Sequence, residues 1–261
     1  MSKVTRRRFY APPSAFSADA ESATLSPEET RHLRDVLRLH PGDEIYVFDG
    51  TGREFHCAVE IIAKDSTELR VISEVKPTRP ESPLHLTLAI ALLKSEKFDL
   101  VIQKATELGA KRIVPLETER ADVRLKDSED AQKRVTRWRR IALEAAKQTG
   151  RAFVPEITAP LTLSSVVMSA GKERKPSTES THLMFAERSG TSLAEATKSF
   201  AEQPAEIFAL VGPEGGWTDE EIELARESGW KSVTLGGRTL RAETAAIVVL
   251  ALLQHRFGDL V

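Results

Sequence analysis

Towards the carboxyl terminus, apolar runs and turn signals follow one another in the order strand, turn, helix, strand, turn, helix. Ile207–Val211 is a short continuous apolar run, which is typical of a strand covered on both faces of a parallel sheet. Thr218 and Glu221 are spaced as a capping box, which predicts a helix start, and Gly229 predicts the helix end. Lys231–Leu235 is rich in β-forming residues and predicts the next strand. The pattern therefore indicates a strand-helix-strand unit.

A glycine-rich turn follows each of these two strands. Gly212–Gly216 reads GPEGG, and Gly236-Gly237 follows the second strand. Open α/β sheets bind ligands at the carboxyl ends of their strands, and glycine lets a ligand reach the main chain. No G-x-G-x-x-G follows a first strand and no G-x-x-x-x-G-K-[ST] occurs, so neither turn is typical of a phosphate-binding loop. On the residues alone, plain turns and ligand-binding turns remain equally open.

The last predicted helix is apolar on every side. Its segment Ala245–Leu253 contains no charged residue, so all of its faces must be covered, by the core or by a partner subunit. Nine such residues are too few to span a bilayer. The sequence therefore supports a subunit interface at this helix.

The whole chain divides into two parts that differ in their pattern of hydrophobic and polar residues. Residues 1–75 predict a small β-barrel with short helices, and 76–83 (KPTRPESP) predict a stiff linker because three of the eight residues are proline. Residues 84–261 predict an α/β domain with a parallel sheet. The predicted elements are a helix from Ser26 to about Leu39, strands 44–48, 53–62, 69–75, 84–92, 112–116 and 182–186, helices 95–107 and 132–148, with Ser95 capping the first of these two, and a surface loop 171–181.

Bulk composition restricts the class of protein. The chain has 261 residues, 41% of them hydrophobic, and a formal net charge of −2, so any nucleic-acid contact must come from local basic clusters. The single cysteine, Cys57, excludes an internal disulfide, and the six histidines show no metal-ligand spacing. No apolar stretch approaches the length of a membrane span. We therefore expect a cytoplasmic protein without a metal site or membrane contact.

Two basic clusters are candidates for RNA contact. Arg6, Arg7 and Arg8 precede Phe9 and Tyr10, a combination suited to phosphate contact and base stacking, although such a terminus is equally often a solvated tail. Arg31, Arg34 and Arg38 have helical spacing and would share one face of the predicted helix. That stripe is either phosphate-facing or an ordinary solvated surface, and we favour the phosphate-facing interpretation.

Three long motifs carry a resemblance to a known family. The motifs KSEKFDLVIQKATELGAKRIVPLETERADV, VGPEGGWTDEE and LGGRTLRAETAA together resemble the RsmE-type 16S rRNA uridine-N3 methyltransferases of the SPOUT superfamily, nearly end to end. The resemblance implies a SPOUT α/β-knot fold: a deep trefoil knot in a mostly parallel sheet with helices on both faces, preceded by a PUA-like β-barrel. It also implies S-adenosylmethionine as cofactor, a homodimer, and 16S rRNA, within the small ribosomal subunit, as partner.

The same resemblance implies roles for individual residues. Arg8, Arg241 and Glu243 become the catalytic candidates, because the N3 proton of a uracil must be removed and charge on the ring stabilised. Glu243 has an equally good alternative as a first-turn acid that complements the helix dipole, and Arg241 an alternative as an ion-pair partner of Glu243 or Glu214. The implied cofactor contacts are Gly212, Glu214, Gly216, Leu235, Gly236, Leu240, Arg241 and Ala245.

Two competing functions remain open at this stage. One is a different SPOUT activity, such as ribose 2′-O-methylation of tRNA or rRNA. The other is a PUA-like RNA-binding protein without catalysis. For the methyltransferase hypothesis, the sequence predicts that Gly212→Val abolishes cofactor binding, because the valine would fill the space of the adenine or ribose.

Overall fold

The computed structural model describes residues 6–172, 180–188, 190–198 and 203–261. The predicted loop 171–181 lies mostly outside these residues. The chain forms two compact units, one of Met1–Glu81 with Ala146–Val154, the other of Ser82–Ala145 with Pro155–Val261. The division between Glu81 and Ser82 falls inside the stretch 76–83. Residues 146–154 belong to the first unit, and no pattern in the sequence predicts that they would.

The first unit contains a five-stranded sheet. The strand order is β1-β3-β4-β5-β2, in which β1 and β3 are parallel and the other neighbours antiparallel. The strands predicted at 44–48 and 53–62 are present as β3 and β4, which pair antiparallel with Ile45 opposite Cys57. The strands are β1 (Arg8–Tyr10), β2 (Ser22–Leu25), β3 (Glu44–Phe48), β4 (Glu54–Ile62) and β5 (Thr67–Val75).

One face of this sheet covers an apolar core. Phe9, Leu33 and Ile45 are fully buried in it, together with Cys57. Burial raises the pKa of the Cys57 thiol to about 12, because the charged thiolate loses its hydration there. The thiol is therefore a packing group of the barrel rather than a nucleophile.

The helix of the first unit is shorter than predicted. Ser26 caps α1 (Pro27–Arg31), where its side chain accepts a hydrogen bond from the Glu29 amide. The chain then continues as a π-helical turn over His32–Val36, and Arg38 has the left-handed φ of 53°. The expectation of one regular helix to Leu39 is therefore wrong. The prediction that Arg31, Arg34 and Arg38 share one helical face is wrong for the same reason.

The second unit is built on an all-parallel sheet of eight strands. The order is β11-β13-β10-β12-β6-β7-β8, and β9 also pairs with β7. Strands β12 and β6 are adjacent although they are distant in sequence, with Leu210 in register with Ala89. The strands are β6 (His85–Ala91), β7 (Arg112–Glu117), β8 (Glu156–Ile157), β9 (Leu161–Thr162), β10 (Ser180–Phe185), β11 (Thr191–Ser192), β12 (Glu206–Val211) and β13 (Lys231–Thr234).

Helices cover this sheet on both faces. Apolar residues of α4 and α6 pack with Ala89 and Leu210 in one buried cluster, while α7 packs against α2 and against β6 and β12. The helices after β5 are α2 (Ser95–Glu107), α3 (Ser128–Thr149), α4 (Leu163–Lys172), α5 (Leu193–Lys198), α6 (Asp219–Glu227) and α7 (Ala242–Phe257). The end of α3, from Ala146, belongs to the first unit. The α/β architecture predicted for this region is therefore observed.

Two details of the helices differ from expectation. The N-cap of α2 is Lys94, not Ser95, and no side chain caps that end. The long helix α3 starts at Ser128, four residues before the start predicted at 132. In the described part of the chain, no helix is long and apolar enough to cross a membrane.

Candidate active site

Three neighbouring strands of the second unit end at the same level. Phe185, the last residue of β10, is in register with Val211 of β12 and Val233 of β13. Both glycine turns follow at this edge, as the sequence predicted from strand polarity. A cavity of about 370 Å³ opens between them, a size typical of small-molecule sites. Its lining consists of Arg120, Phe185–Arg188, Val211–Pro213, Gly215–Trp217, Asp219, Ile222, Leu235, Gly236, Arg238, Leu240, Ala242 and Ala245.

The first glycine turn is packed tightly against an indole ring. A Cβ atom on Gly212 would lie 2.9 Å from Cε2 of Trp217. The ring is buried and fixed, because its Nε1 donates a hydrogen bond of 2.8 Å to the carbonyl oxygen of Phe185. Glycine is therefore needed at position 212 because the indole ring that forms the cavity wall leaves no room for a side chain. A side chain at this position would meet Trp217, and the loss of cofactor binding expected for Gly212→Val stays a prediction.

Two other glycines leave main chain open at the cavity. Gly216 and Gly236 have φ values of +70° and +103°, which L side chains rarely adopt. A Cβ atom on either residue would meet nothing within 4 Å. At these two points a ligand can therefore approach the peptide groups directly, which favours ligand-binding turns over the plain turns that the sequence left equally open.

The helix after the first turn is anchored by the predicted capping box. The Thr218 amide donates to Oε2 of Glu221 at 2.9 Å, and the Glu221 amide donates to Oγ1 of Thr218 at 3.1 Å. The second carboxylate oxygen of Glu221 accepts from the Glu119 amide at 3.0 Å. Glu221 thus ties α6 to the loop after β7, which holds the first glycine turn in place.

Arg120 is a site residue that the sequence did not single out. Its Nη1 donates to the carbonyl oxygens of Gly215 and Trp217, at 3.4 and 3.1 Å, and its side chain lines the cavity. The residue belongs to the motif ETERADV, which carried the resemblance but not a role for this position. The loop after β7 therefore supports the glycine turn through a cation as well as through Glu221.

The structure separates the predicted cofactor contacts into two groups. Those that line the cavity are Gly212, Gly216, Leu235, Gly236, Leu240 and Ala245. Glu214 and Arg241 do not line it. Arg241 is exposed at the N-cap of α7 and makes no ion pair within the described residues.

Glu214 belongs instead to a charged cluster centred on Lys97 of α2. The Lys97 ammonium contacts Oε1 of Glu214 and lies 3.7 Å from Oε1 of Glu243. The hydrogen bond from Lys97 lowers the pKa of Glu214, and the Glu214 carboxylate raises the pKa of Lys97. Lys97, not Arg241, is therefore the ion-pair partner of both acids.

Glu243 has an unusual environment for a first-turn acid. Its side chain is only 12% exposed. Its Oε2 is buried and has no hydrogen-bond partner among the described residues. A buried carboxylate oxygen without a donor is uncommon in folded proteins and calls for a functional explanation. Glu243 does not line the cavity, although its neighbours Ala242 and Ala245 do.

The predicted catalytic residue Arg8 lies in the first unit, engaged in an ion pair. Its Nη2 lies 2.9 Å from Oε2 of Glu54, and its guanidinium stacks over Phe48 at 4.7 Å. Arg6 binds the other oxygen of Glu54 at 2.8 Å. The Glu54 side chain is fully buried, so it depends on both arginines. This arrangement gives Arg6 and Arg8 a role in the barrel, and a catalytic role for Arg8 stays a prediction.

The other predicted RNA-contact arginines are on the surface. Arg34 is bound to Asp35 by two hydrogen bonds of 2.6 and 2.9 Å, which raise its pKa and lower that of Asp35. Arg31 donates to the Pro27 carbonyl at 3.3 Å. Arg7 and Arg38 are exposed. Their binding to RNA stays a prediction, and the helical face that motivated it is not formed.

Comparison with known proteins assigns the family. Residues 80–254 match a family described as RNA methyltransferase domain, and residues 25–72 match a family described as RNA methyltransferase PUA domain. A ribosomal RNA small subunit methyltransferase E from Synechocystis is 39% identical over 88% of this chain and 72% of that protein. The chain belongs to the ribosomal RNA small subunit methyltransferase E family. The family resemblance read from the three motifs is thereby confirmed.

Further members of the methyltransferase E family agree with this assignment. The protein of that name from Bacillus subtilis is 30% identical over 91% of each chain. The crystal structure of the Neisseria gonorrhoeae methyltransferase E, bound to S-adenosylmethionine, superposes with a TM-score of 0.80 at 32% identity and covers 98% of this chain and 100% of that one. The predicted architecture, an α/β domain with a parallel sheet and an N-terminal PUA-like domain, is confirmed.

Proposed function

We propose that this protein methylates N3 of a specific uridine in the 16S rRNA of the small ribosomal subunit, with S-adenosylmethionine as methyl donor. The enzyme class and the cofactor are those of the family to which the chain belongs. The observation that carries the proposal is the cavity at the aligned ends of β10, β12 and β13. Two glycine turns meet there, and each offers open main chain.

The residues of the cavity fit the proposed cofactor. Leu235, Leu240 and Ala245 provide apolar surface for a planar ring, and the open peptide groups at Gly216 and Gly236 can bind its polar edges. The volume of about 370 Å³ is in the range of sites for molecules of this size. When bound, S-adenosylmethionine supplies an activated methyl group on a positively charged sulfur.

The protein's part in the reaction is alignment and proton handling. The uridine N3 loses its proton and forms the bond to the methyl carbon, while the carbon–sulfur bond breaks and its electron pair stays on sulfur. Alignment of the reacting atoms accounts for several kcal/mol of rate acceleration in such sites, roughly 7–11 at the limit. We propose that Glu243 accepts the N3 proton, because its buried Oε2 has no hydrogen-bond donor among the described residues. Arg241 is the proposed cation for charge developing on the uracil oxygens. Arg8 stays a catalytic candidate by family resemblance alone, and its ion pair with Glu54 favours a structural role.

The target atom separates this proposal from the competing functions. Small subunits from cells that lack the protein would be incubated with purified protein and labelled S-adenosylmethionine, then digested to nucleosides. We expect label in 3-methyluridine and a new reverse-transcription stop at one 16S position, because N3 methylation blocks the Watson–Crick edge. Label in a 2′-O-methyl nucleoside would contradict the proposal and favour the other SPOUT activity. No label and no thermal shift with the cofactor would favour a non-catalytic RNA-binding protein.

We further propose that the protein acts as a cytoplasmic homodimer through α7. Val248 and Ala251 of this helix are only partly buried, and Leu252 is 40% exposed. An apolar helix is stable when all of its faces are covered, so a second copy of the chain is the proposed cover.

Leu252→Glu tests this interface. A carboxylate without a partner is costly to bury, so we expect the variant to elute as a monomer where the wild type is a dimer, in size-exclusion chromatography with light scattering. Met168→Glu is the matched control, because Met168 is 52% exposed on α4. A dimeric Leu252→Glu variant would place the interface elsewhere.

A further inference from the structure

Ion pairing sorts the arginines of this protein into two classes. Arg6 and Arg8 are neutralised by Glu54, and Arg34 is neutralised by Asp35. Binding of RNA by cations gains its free energy mainly from phosphate contacts that release counterions, and a cation already held by a carboxylate gives up that pair first. The arginines best prepared for phosphate are therefore those without an acidic partner.

Two arginines at the cavity meet this criterion. Arg188 follows β10 and Arg238 follows β13, and these strands are neighbours in the sheet. Both side chains line the same cavity, and both residues are exposed. Neither makes a hydrogen bond or ion pair with another described residue. The two cations thus lie at the cavity without a partner among the residues that the structure describes.

The remaining charges of the lining do not cancel this positive character. Glu187 and Asp219 also line the cavity and are exposed, but no ion pair joins either acid to an arginine in the described part of the chain. Arg120 is bound to carbonyl oxygens, which leave its charge in place. The lining therefore has three arginines against two acids, in a chain whose net charge is −2. A local excess of cations in an acidic protein favours an anionic ligand.

We propose that Arg188 and Arg238 bind the RNA phosphates that flank the target nucleotide. This inference rests on the proposed function and deepens it, because it assigns the substrate's backbone to two residues at the cofactor cavity. A nucleotide that is turned out of its strand to be methylated brings a phosphate on each side, and planar guanidinium groups bind phosphates by paired hydrogen bonds. The two arginines would hold the backbone while the uracil enters.

The two arginines could instead bind the carboxylate of S-adenosylmethionine, which is also an anion. Separate measurements of substrate and cofactor binding distinguish the RNA phosphates from this carboxylate. The experiment compares wild type, Arg188→Gln, Arg238→Gln and the double variant in methylation of small subunits from cells that lack the protein. Affinity for S-adenosylmethionine is measured in parallel by calorimetry. Arg226→Gln is the control, because Arg226 is an exposed arginine of α6 outside the cavity lining, and its loss changes the net charge equally.

We expect KM for the small subunit to rise about tenfold for each arginine removed, because each variant loses a hydrogen bond from a charged group. The kcat and the affinity for the cofactor should stay within about twofold of wild type. The dependence of log(kcat/KM) on log salt should flatten by roughly 0.7 for each lost phosphate contact. Arg188→Lys and Arg238→Lys should keep most of the affinity, because lysine also binds phosphate as a point charge.

Unchanged KM and salt dependence in the double variant, with an active wild type, would overturn this inference alone. Weaker binding of S-adenosylmethionine with normal KM for the subunit would also overturn it, since the anion would then be the cofactor's carboxylate. Absence of methyl transfer by the wild type would overturn the proposed function and this inference together.

Discussion

Replacing Gly212 by alanine is expected to weaken binding of S-adenosylmethionine by about hundredfold, the equivalent of the roughly 1–3 kcal/mol that overpacking costs. The new Cβ would lie 2.9 Å from Cε2 and 3.1 Å from Nε1 of Trp217. The indole cannot move away without losing its 2.8 Å hydrogen bond to the Phe185 carbonyl, at the end of β10. Either the ring or the glycine turn must shift, and both form the wall of the cavity. Calorimetric titration measures the effect.

Gly237→Ala is the matched control in the second glycine turn. A Cβ atom at Gly237 would meet nothing within 4 Å, and the residue does not line the cavity. We expect cofactor affinity within about twofold of wild type for this variant, since no contact is made or lost. Wild-type affinity in Gly212→Ala would show that the turn relaxes freely, which would contradict the importance of the Trp217 contact. Gly212→Val should have the larger effect of the two.

Replacing Glu54 by alanine is expected to cost about 3–5 kcal/mol of unfolding free energy, the penalty for breaking a buried ion pair from one side. Glu54 is 0% exposed and Arg8 is 12% exposed, so the substitution leaves a nearly buried cation without its partner. The same change also releases Arg6 from its 2.8 Å contact with Glu54. Typical domains have a total stability of roughly 5–15 kcal/mol, so a large part of the stability of the barrel is at stake. Urea denaturation followed by circular dichroism measures the change.

Glu74→Ala provides the comparison on the surface of the same unit. Glu74 pairs with Arg53 at 2.7 Å, but both side chains are about half exposed, at 53% and 50%. Such pairs contribute about 0–1 kcal/mol, so we expect almost no shift of the urea midpoint. Equal effects of the two substitutions would contradict the structural role of Glu54.

Measuring both the stability and the turnover of Arg8→Ala decides between a structural and a catalytic role for Arg8. If Arg8→Ala lowers stability as Glu54→Ala does, while remaining protein turns over normally, the guanidinium serves the barrel. If turnover is lost at wild-type stability, Arg8 is catalytic as the family resemblance implies. The ion pair favours the structural role, because Nε and Nη2 of Arg8 both donate hydrogen bonds to Glu54, at 3.1 and 2.9 Å.

Local sequence signals predicted much of the cofactor cavity. The strand ends, the two glycine turns and the Thr218 capping box depend on residues within a few positions of one another, and all three are present. Short-range rules such as side-chain capping and positive φ at glycine are sufficient for such features. The positions of Gly216 and Gly236 at one opening followed from strand polarity alone.

Features that depend on distant residues could not be predicted in this way. Lys97 and Glu214 are separated by 117 positions, and Glu54 is 46 positions from Arg8, so no periodicity or spacing joins them. Arg120 reaches the glycine turn across 95 positions. The π-helical turn after α1 was also missed, because its residues have ordinary helix preferences. A trefoil knot is implied by the family resemblance alone, since chains rarely thread through themselves and no local pattern predicts it.

The order of strands in the sheet also bears on when activity can arise during synthesis. β6 pairs with β12 along its length, and a ribosome adds about 5–20 residues per second, so β6 is complete several seconds before β12 is made. The cavity draws on residues from Arg120 to Ala245, and it cannot exist before the last of these has been made. Until then the nascent chain has an unpaired strand edge, a state that chaperones recognise and that favours association with other chains.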